Sequence, residues 1–282
     1  NEKPKDTRGM KHATPLLVGL LMLTIPMAGC VDKLSGYEPY DIEIIFVDWQ
    51  PTESEERAIR EAAELWQENI VEGIDPMFLT HSQEDVDSSD LYYGCQPINQ
   101  QVDDLLLWIM LDDNMSSLAN SKVCSADTHD GIRHAKTGSI RFDPDTLTER
   151  NESEIRDITA HEIGHTLLFS PRFWNIDFDG DEVLDREFVP GYDGVCEEGD
   201  APRYYGPEGM AAWHSVGGSG GVPLQRYLAG QNGAWSGCVH LDDDVFPEEI
   251  NAAYLGGEEV FGLSNITLGM LEDQGYLVDY NN

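Results

Sequence analysis

Two segments of the chain place apolar residues at helical spacing. The first covers about residues 52–70, with Thr52 as the predicted N-cap and acidic residues in the first turn. The second covers about residues 153–170, with Ser153 as the predicted N-cap. Its apolar positions are Ile155, Ile158, Ile163 and Leu167. Both segments are therefore predicted to be long amphipathic helices.

Three segments have the composition and spacing of β-strands. Residues 41–49 are rich in β-branched and aromatic side chains. Residues 104–111 form a continuous apolar run, which predicts a buried central strand. Residues 137–143 alternate and predict an edge strand, which either is purely structural or pairs with an extended peptide. No regular element is predicted for residues 112–136.

The order of these elements predicts an α+β fold. Residues 41–170 are expected to form a mixed sheet with two long helices. Residues 171–282 are expected to form an irregular subdomain, rich in glycine, proline and acidic residues, with a short helix at 207–214. A closing helix is predicted from the N-cap Ser264 to the helix stop Gly275.

The first forty residues have the features of a secretion signal. An apolar run from Leu16 to Met27 follows a short basic start and is too short to span a bilayer comfortably. It leads into Pro-Met-Ala-Gly-Cys at residues 26–30, which resembles the lipobox of secreted prokaryotic lipoproteins. We expect residues 1–29 to be removed, Cys30 to carry a lipid, and residues 30–40 to tether the protein to the extracellular face of the membrane. The alternative is an ordinary signal peptide cut elsewhere.

The chain is strongly acidic. It has 53 acidic and 17 basic residues, for a formal net charge of −36. A folded chain with this charge repels itself unless salt screens it, so we expect a high-salt environment. The same charge argues against binding to nucleic acid or anionic lipid. We expect a monomer that meets a membrane only through its lipid anchor.

Four cysteines follow Cys30, and an even number outside the cell predicts two disulfides. Proximity in the sequence favours Cys95–Cys124 and Cys196–Cys238, although four cysteines allow three pairings. The chain has no close C-x-x-C pair, which argues against zinc ligation by these thiols.

The sequence His-Glu-Ile-Gly-His at residues 161–165 carries candidate metal chemistry. Histidines four residues apart lie on one face of a helix, so His161 and His165 can bind the same ion. Glu162 can contact a water on that ion and take its proton, which is the arrangement of zinc hydrolases. The alternative is a chance motif on a surface helix, against which the amphipathic spacing around it argues.

A catalytic zinc usually takes three protein ligands. The compact pattern HExxHxxGxxH fails here, because Leu168 and Pro171 occupy its glycine and third histidine positions. A glutamate on a downstream helix, as in thermolysin-like enzymes, is compatible with so acidic a chain. The histidines that remain downstream are His214 and His240.

Three stretches resemble the leishmanolysin-type zinc peptidases, which belong to the metzincin-type zincins. They are the motif segment 161–169, the stretch from Gly221-Val222-Pro223-Leu224 to residues 236–242, and the closing segment 263–276. The resemblance implies a zincin-like fold, Zn²⁺ as cofactor, and a peptide or protein as substrate. It also implies His161, His165 and His240 as the zinc ligands and Glu162 as the general base, with His214 an ordinary histidine.

Two residues depart from that family's pattern. Leu168 replaces a glycine near the end of the motif helix, so we expect the helix to continue to about Ser170 instead of turning left-handed. Asn251 replaces a methionine that lies beneath the zinc. The favoured interpretation is a zinc-dependent endopeptidase. The alternatives are an inactive zinc- or peptide-binding module of the same fold at the cell surface, and a metal-free extracellular adhesion or structural protein.

A second metal site is possible in residues 175–185, where oxygen-bearing side chains alternate before Gly180 as they do in calcium loops. The usual glutamate is missing, and Asp185 is the candidate substitute. The candidate Ca²⁺ ligands are Asn175, Asp177, Asp179, Asp181 and Asp185. The alternative is a solvated acidic loop.

Overall fold

The computed structural model describes residues 38–88, 94–115, 117–129, 131–177, 180–181, 183–192, 199, 201–226, 238–252 and 262–281. The predicted signal segment and Cys30 lie outside these residues. In chain order the elements are β1 (Ile42–Phe46), α1 (Glu53–Asn69), β2 (Met77–His81), α2 (Gln83–Ser88), β3 (Ile98–Val102), β4 (Leu105–Leu111), β5 (Ala119–His129), β6 (Ile132–Phe142), α3 (Pro144–Glu149), α4 (Glu152–Leu167), α5 (Pro171–Trp174), β7 (Asn175–Ile176), β8 (Arg186–Glu187), β9 (Arg203–Tyr204), α6 (Pro207–Ser215), β10 (Val222–Pro223) and α7 (Asn265–Asp273).

A four-stranded sheet positions the rest of the fold. Its spatial order is β1-β4-β6-β5, with β1, β4 and β6 parallel and β5 antiparallel to β6. Helices α1 and α4 pack against each other, and the indole N–H of Trp66 donates a 2.9 Å hydrogen bond to the carbonyl oxygen of Ala160 between them. The mixed α+β class with a partly parallel sheet is therefore confirmed. Among the described residues, no helix is both long and apolar enough to cross a membrane.

Strand β4 is buried on both faces. Leu105, Leu107 and Ile109 belong to the main core, which α1 and α4 also fill. Leu106 and Trp108 belong to a second apolar cluster, formed with the antiparallel pair β2–β3. The continuous apolar run correctly predicted this central strand.

The predicted edge strand at residues 137–143 is wrong, because β6 is an internal strand. It pairs with β4 on one side and with β5 on the other. The small residues of β6 are buried and do not face solvent. A Cβ on Gly138 would lie 2.7 Å from the methyl group of Thr166 on α4. Ser139 is also fully buried. The alternation therefore marks the close approach of α4.

Strand β5 takes the end position of the sheet, in a region where no element was predicted. Its sequence, ANSKVCSADTH, is mostly polar and lacks the apolar alternation of a half-buried strand. The pairing register with β6 also shifts between Val123 and Ala126, which breaks the period of two. These two properties explain why the sequence pattern missed it.

Helix boundaries agree with the sequence in most places. Thr52 caps α1 and forms a capping box with Glu55. Ser264 caps α7, and Gly275 follows it with a φ of +87°. Helix α6 coincides with the predicted short helix.

The start of α4 differs from the prediction. Asn151, not Ser153, is the N-cap, because its side chain accepts hydrogen bonds from the N–H groups of Ser153 and Glu154. The carboxylate of Glu154 accepts the N–H of Asn151 in return. This capping box begins two residues earlier than the predicted N-cap.

A disulfide joins Cys95 to Cys124, which confirms the first predicted pairing. Because Cys124 lies in β5, the bond ties the end strand of the sheet to the segment before β3. Cys238 is also disulfide-bonded. Cys196 lies outside the described residues, so the pairing Cys196–Cys238 stays a prediction.

Replacing Cys95 and Cys124 together by alanine is expected to lower the free energy of unfolding by about 3–4 kcal/mol. The cross-link restricts the unfolded chain, and a sequence separation of 29 residues sets that scale. Denaturant unfolding at high salt measures the loss. Ser125→Ala in the same strand is the control and should cost about 1 kcal/mol or less. An unchanged unfolding free energy in the double variant would contradict the structural role of the disulfide.

Candidate metal centre

Three histidines converge in the structure. His161 and His165 lie one turn apart on α4, and His240 reaches them from the C-terminal part of the chain. The Nε2 atom of His161 lies 3.1 Å from Nε2 of His240 and 3.2 Å from Nε2 of His165, and the remaining pair is 2.9 Å apart. His161 and His240 are buried and His165 is half-buried. The three side chains are close enough to hold one metal ion.

Backbone carbonyls orient two of the rings. Nδ1 of His161 lies 2.8 Å from the carbonyl oxygen of Ile250, and Nδ1 of His165 lies 2.8 Å from that of Phe169. A carbonyl oxygen only accepts hydrogen bonds, so each Nδ1 carries the proton and each Nε2 presents a lone pair. Burial, followed by the nearby His165, lowers the pKa of His161 to about 3, so its ring stays neutral.

The donor set fits a transition-metal ion such as Zn²⁺. Lone pairs of neutral imidazoles repel one another at hydrogen-bond distance, and a cation between them removes that repulsion. A tetrahedral ion bound at about 2.0–2.1 Å would separate its nitrogen ligands by about 3.3 Å. The nitrogen separations in this structure are close to that value.

His240 is held by a short ladder of backbone hydrogen bonds. The N–H of Gln225 donates to the carbonyl of His240, and the N–H of Leu241 donates to the carbonyl of Asn251. Leu241 also forms β-bridges to Leu224 and Ala252. The third histidine is thus fixed by segments on both sides of it.

Glu162 lies beside the three histidines on α4 and is buried. Its Oε2 accepts a 2.7 Å hydrogen bond from the hydroxyl of Ser121 on β5. Burial raises the pKa of the Glu162 carboxyl, while the nearby His165 and the Ser121 hydrogen bond act in the opposite direction. A raised pKa makes the carboxylate a stronger proton acceptor.

Asn251 lies beneath the motif helix. Its side chain is fully buried, and its amide Nδ2 donates a 3.2 Å hydrogen bond to the carbonyl oxygen of His161. It also lies against Gly164, where a Cβ would come within 2.1 Å of Nδ2. Asn251 therefore contacts the motif helix at both His161 and Gly164.

Helix α4 ends at Leu167, so the predicted extension to Ser170 is wrong. Leu168 follows with a φ of −141°, which a residue with a side chain adopts without the left-handed steric cost. Its side chain is completely buried, and the chain turns so that the carbonyl of Phe169 reaches His165. The helix therefore ends here without a glycine, and the side chain that follows it is buried.

The other candidate ligands do not join this cluster. The exposed His214 places Nε2 2.9 Å from the carbonyl of Gly220. Within the described part of the chain, the three histidines are the one cluster of possible metal ligands, and no carboxylate belongs to it.

The candidate calcium loop is only partly described. The Asn175 side chain hydrogen-bonds to backbone groups of Val189 and Tyr192. The described carboxylates of Asp177, Asp181 and Asp185 do not form a cluster that could share an ion. Asp179 lies outside the described residues, and calcium binding stays a prediction.

Four residues of the centre were not singled out in the sequence. Ser121 lies in a strand without apolar alternation, and Ile250 and Phe169 act through backbone atoms, which leave no mark on residue type. Glu249 is fully enclosed in the turn that carries Ile250, and one of its carboxylate oxygens accepts the N–H of Ser264 at 3.1 Å. Burial raises the pKa of Glu249 to about 7.

No known protein-family model matches this chain, and a comparison with curated proteins finds no similar sequence.

Gly164→Ala is expected to lower the free energy of unfolding by about 1–3 kcal/mol and to weaken zinc binding. The added methyl group displaces Asn251 from beneath His161. Denaturation without metal and zinc titration against a chelator measure the two effects. Gly262→Ala is the control, because a Cβ there meets no atom within 4 Å. Equal stability of the two variants would contradict the packing role of Gly164.

The stabilising contribution of protonated Glu249 is expected to be lost as the pH rises from about 4.5 to 7, because the folded state holds the Glu249 proton more tightly than the unfolded state. Glu249→Gln removes this dependence. Its unfolding free energy relative to the wild type should rise by about 3 kcal/mol across that window and stay level above it. Denaturant unfolding at a series of pH values measures the difference. A difference that does not change with pH would show that Glu249 titrates normally.

Proposed function

We propose that the protein is a zinc-dependent endopeptidase. The observation that carries the proposal is the convergence of three imidazole Nε2 atoms within 3.2 Å of one another, with the carboxylate of Glu162 on the same helix. A buried carboxylate beside a three-nitrogen site matches the parts that hydrolysis of a peptide bond needs.

Each residue has a defined task in this proposal. His161, His165 and His240 would hold Zn²⁺, and the carbonyls of Ile250 and Phe169 keep the first two rings in the binding tautomer. Zn²⁺, when bound, supplies Lewis acidity that favours ionisation of water near neutral pH and stabilises negative charge on a carbonyl oxygen. Glu162 takes the proton of the attacking water at its carboxylate and returns it to the nitrogen of the leaving amine.

A peptide substrate would lie along β5 rather than along residues 140–142. Strand β6 has both edges paired, whereas β5 is the end strand of the sheet among the described residues. The Ser121–Glu162 hydrogen bond places this strand directly beside the candidate base. An extended peptide that adds to β5 by backbone hydrogen bonds would therefore pass close to Glu162.

We further propose that the protein is a leishmanolysin-like peptidase located at the cell surface. The resemblance to leishmanolysin-type peptidases supports the assignment of His240 and a zincin-like fold. The lipobox-like residues before Cys30 support a secreted protein anchored by lipid at the outer face of the membrane. The formal charge of −36 supports activity at high salt.

The purified protein at molar salt is expected to bind one zinc ion and to cleave an unfolded protein such as casein. Glu162→Gln should keep the zinc and lower kcat at least about 100-fold, because it removes the proton acceptor. Metal analysis and peptide-product assays provide the measurements. Stoichiometric zinc without cleavage of any peptide would favour the binding module instead. Absence of zinc would favour a metal-free structural protein.

His240→Ala is expected to lose zinc and activity together, because two histidines bind the ion far more weakly than three. His214→Ala is the matched control, since it removes the same side chain from an exposed position outside the cluster. Zinc content measured after dialysis separates the two variants. Retention of zinc by His240→Ala would contradict the ligand assignment.

A further inference from the structure

Ser121 is the residue of β5 that reaches the candidate base. In the pairing of β5 with β6, Ser121 lies opposite Ile140, which is completely buried in the main core. Paired residues of neighbouring antiparallel strands point to the same face of the sheet. The Ser121 side chain therefore points towards α4, where its hydroxyl donates to Oε2 of Glu162 at 2.7 Å.

The Ser121 hydroxyl has little freedom of its own. A serine side chain has a single carbon between the backbone and Oγ, so its position follows the strand backbone. That backbone is paired to β6, and three residues further on Cys124 is bonded to Cys95. The position of the hydroxyl therefore depends on a single rotatable bond, in contrast to the glutamate side chain with its three.

Glu162 needs such a donor. Its carboxylate is buried, and among the described residues Ser121 is the side chain that hydrogen-bonds to it. A buried carboxylate oxygen without a partner is costly, so this hydrogen bond favours one arrangement of the side chain. With Oε2 held by Ser121, Oε1 is the oxygen left to accept a proton.

We propose that Ser121 is a positioning residue that holds the Glu162 carboxylate in register with β5. This inference rests on the proposed function. If a substrate peptide adds to β5, the same strand fixes both the peptide backbone and the oxygen that takes the proton. The distance between base and substrate then depends less on how the sheet and α4 move against each other, because the hydrogen bond couples the carboxylate to the strand that holds the substrate.

The first test compares three variants of β5 by steady-state kinetics with a casein-derived peptide. Ser121→Ala is expected to lower kcat about tenfold, with KM and zinc content unchanged. The base contributes to the transition state and not to substrate binding, so its mispositioning slows the chemical step alone. Ser121→Thr keeps the hydroxyl and is expected to restore most of kcat. Ser125→Ala is the matched control, because its hydroxyl lies 3.0 Å from His81 Nε2 and not at Glu162. Wild-type kcat in Ser121→Ala, or equal losses in Ser121→Ala and Ser125→Ala, would overturn the proposal.

The second test does not depend on turnover. Crystal structures of Ser121→Ala and Ser125→Ala without metal are expected to show the Glu162 carboxylate displaced or in several conformers in the first variant only. An unmoved carboxylate in Ser121→Ala overturns the positioning role even if the enzyme is active. If the wild type cleaves no peptide while Glu162 is displaced in Ser121→Ala, the peptidase function fails and the contact that positions Glu162 is upheld.

Discussion

The centre depends on three imidazole Nε2 atoms that converge on one small volume, and His161 and His165 both present lone pairs there. Such an arrangement is unfavourable without a cation, so the surrounding chain must hold the rings against their mutual repulsion. Two backbone carbonyls do this, from Ile250 and Phe169. Neither carbonyl belongs to the HExxH motif, and one of them lies in a turn far along the chain. The motif alone therefore does not make a metal site; the turn at residues 249–251 completes its geometry.

That turn joins the two halves of the chain. It carries the carbonyl that orients His161, the amide of Asn251 that bonds the His161 backbone, and the enclosed carboxyl of Glu249. Through Leu241 and Ala252 it also pairs with the segment that bears His240. The geometry of the candidate metal centre therefore depends on the packing of the C-terminal part, because the residues that support His161 are connected to the segment that carries His240.

Much of the fold and of the candidate metal centre was predictable from the sequence, and each feature that was missed has a physical reason. The buried strand β4, the long helices and the motif histidines follow from strong apolar patterns and from a motif with known spacing. His240 was identified by resemblance, because no local rule links two positions so far apart in sequence. Strand β5 and Ser121 were missed because a polar strand at the end of a sheet has no apolar period. Strand β6 was wrongly predicted to be an edge strand. Its small residues are buried, but in the sequence they alternate with larger ones as water-facing residues do.

Leu168 and Gly164 change the expectation about which sites on the motif helix tolerate substitution. At Leu168 the backbone is not left-handed, so a β-carbon is admissible and the surrounding apolar environment selects a large side chain. At Gly164 the backbone is ordinary helix, yet the volume next to it is already taken by an amide side chain. The strict demand for glycine is therefore at position 164, one helical turn before Leu168, and it arises from the crowding by Asn251 and not from the backbone conformation.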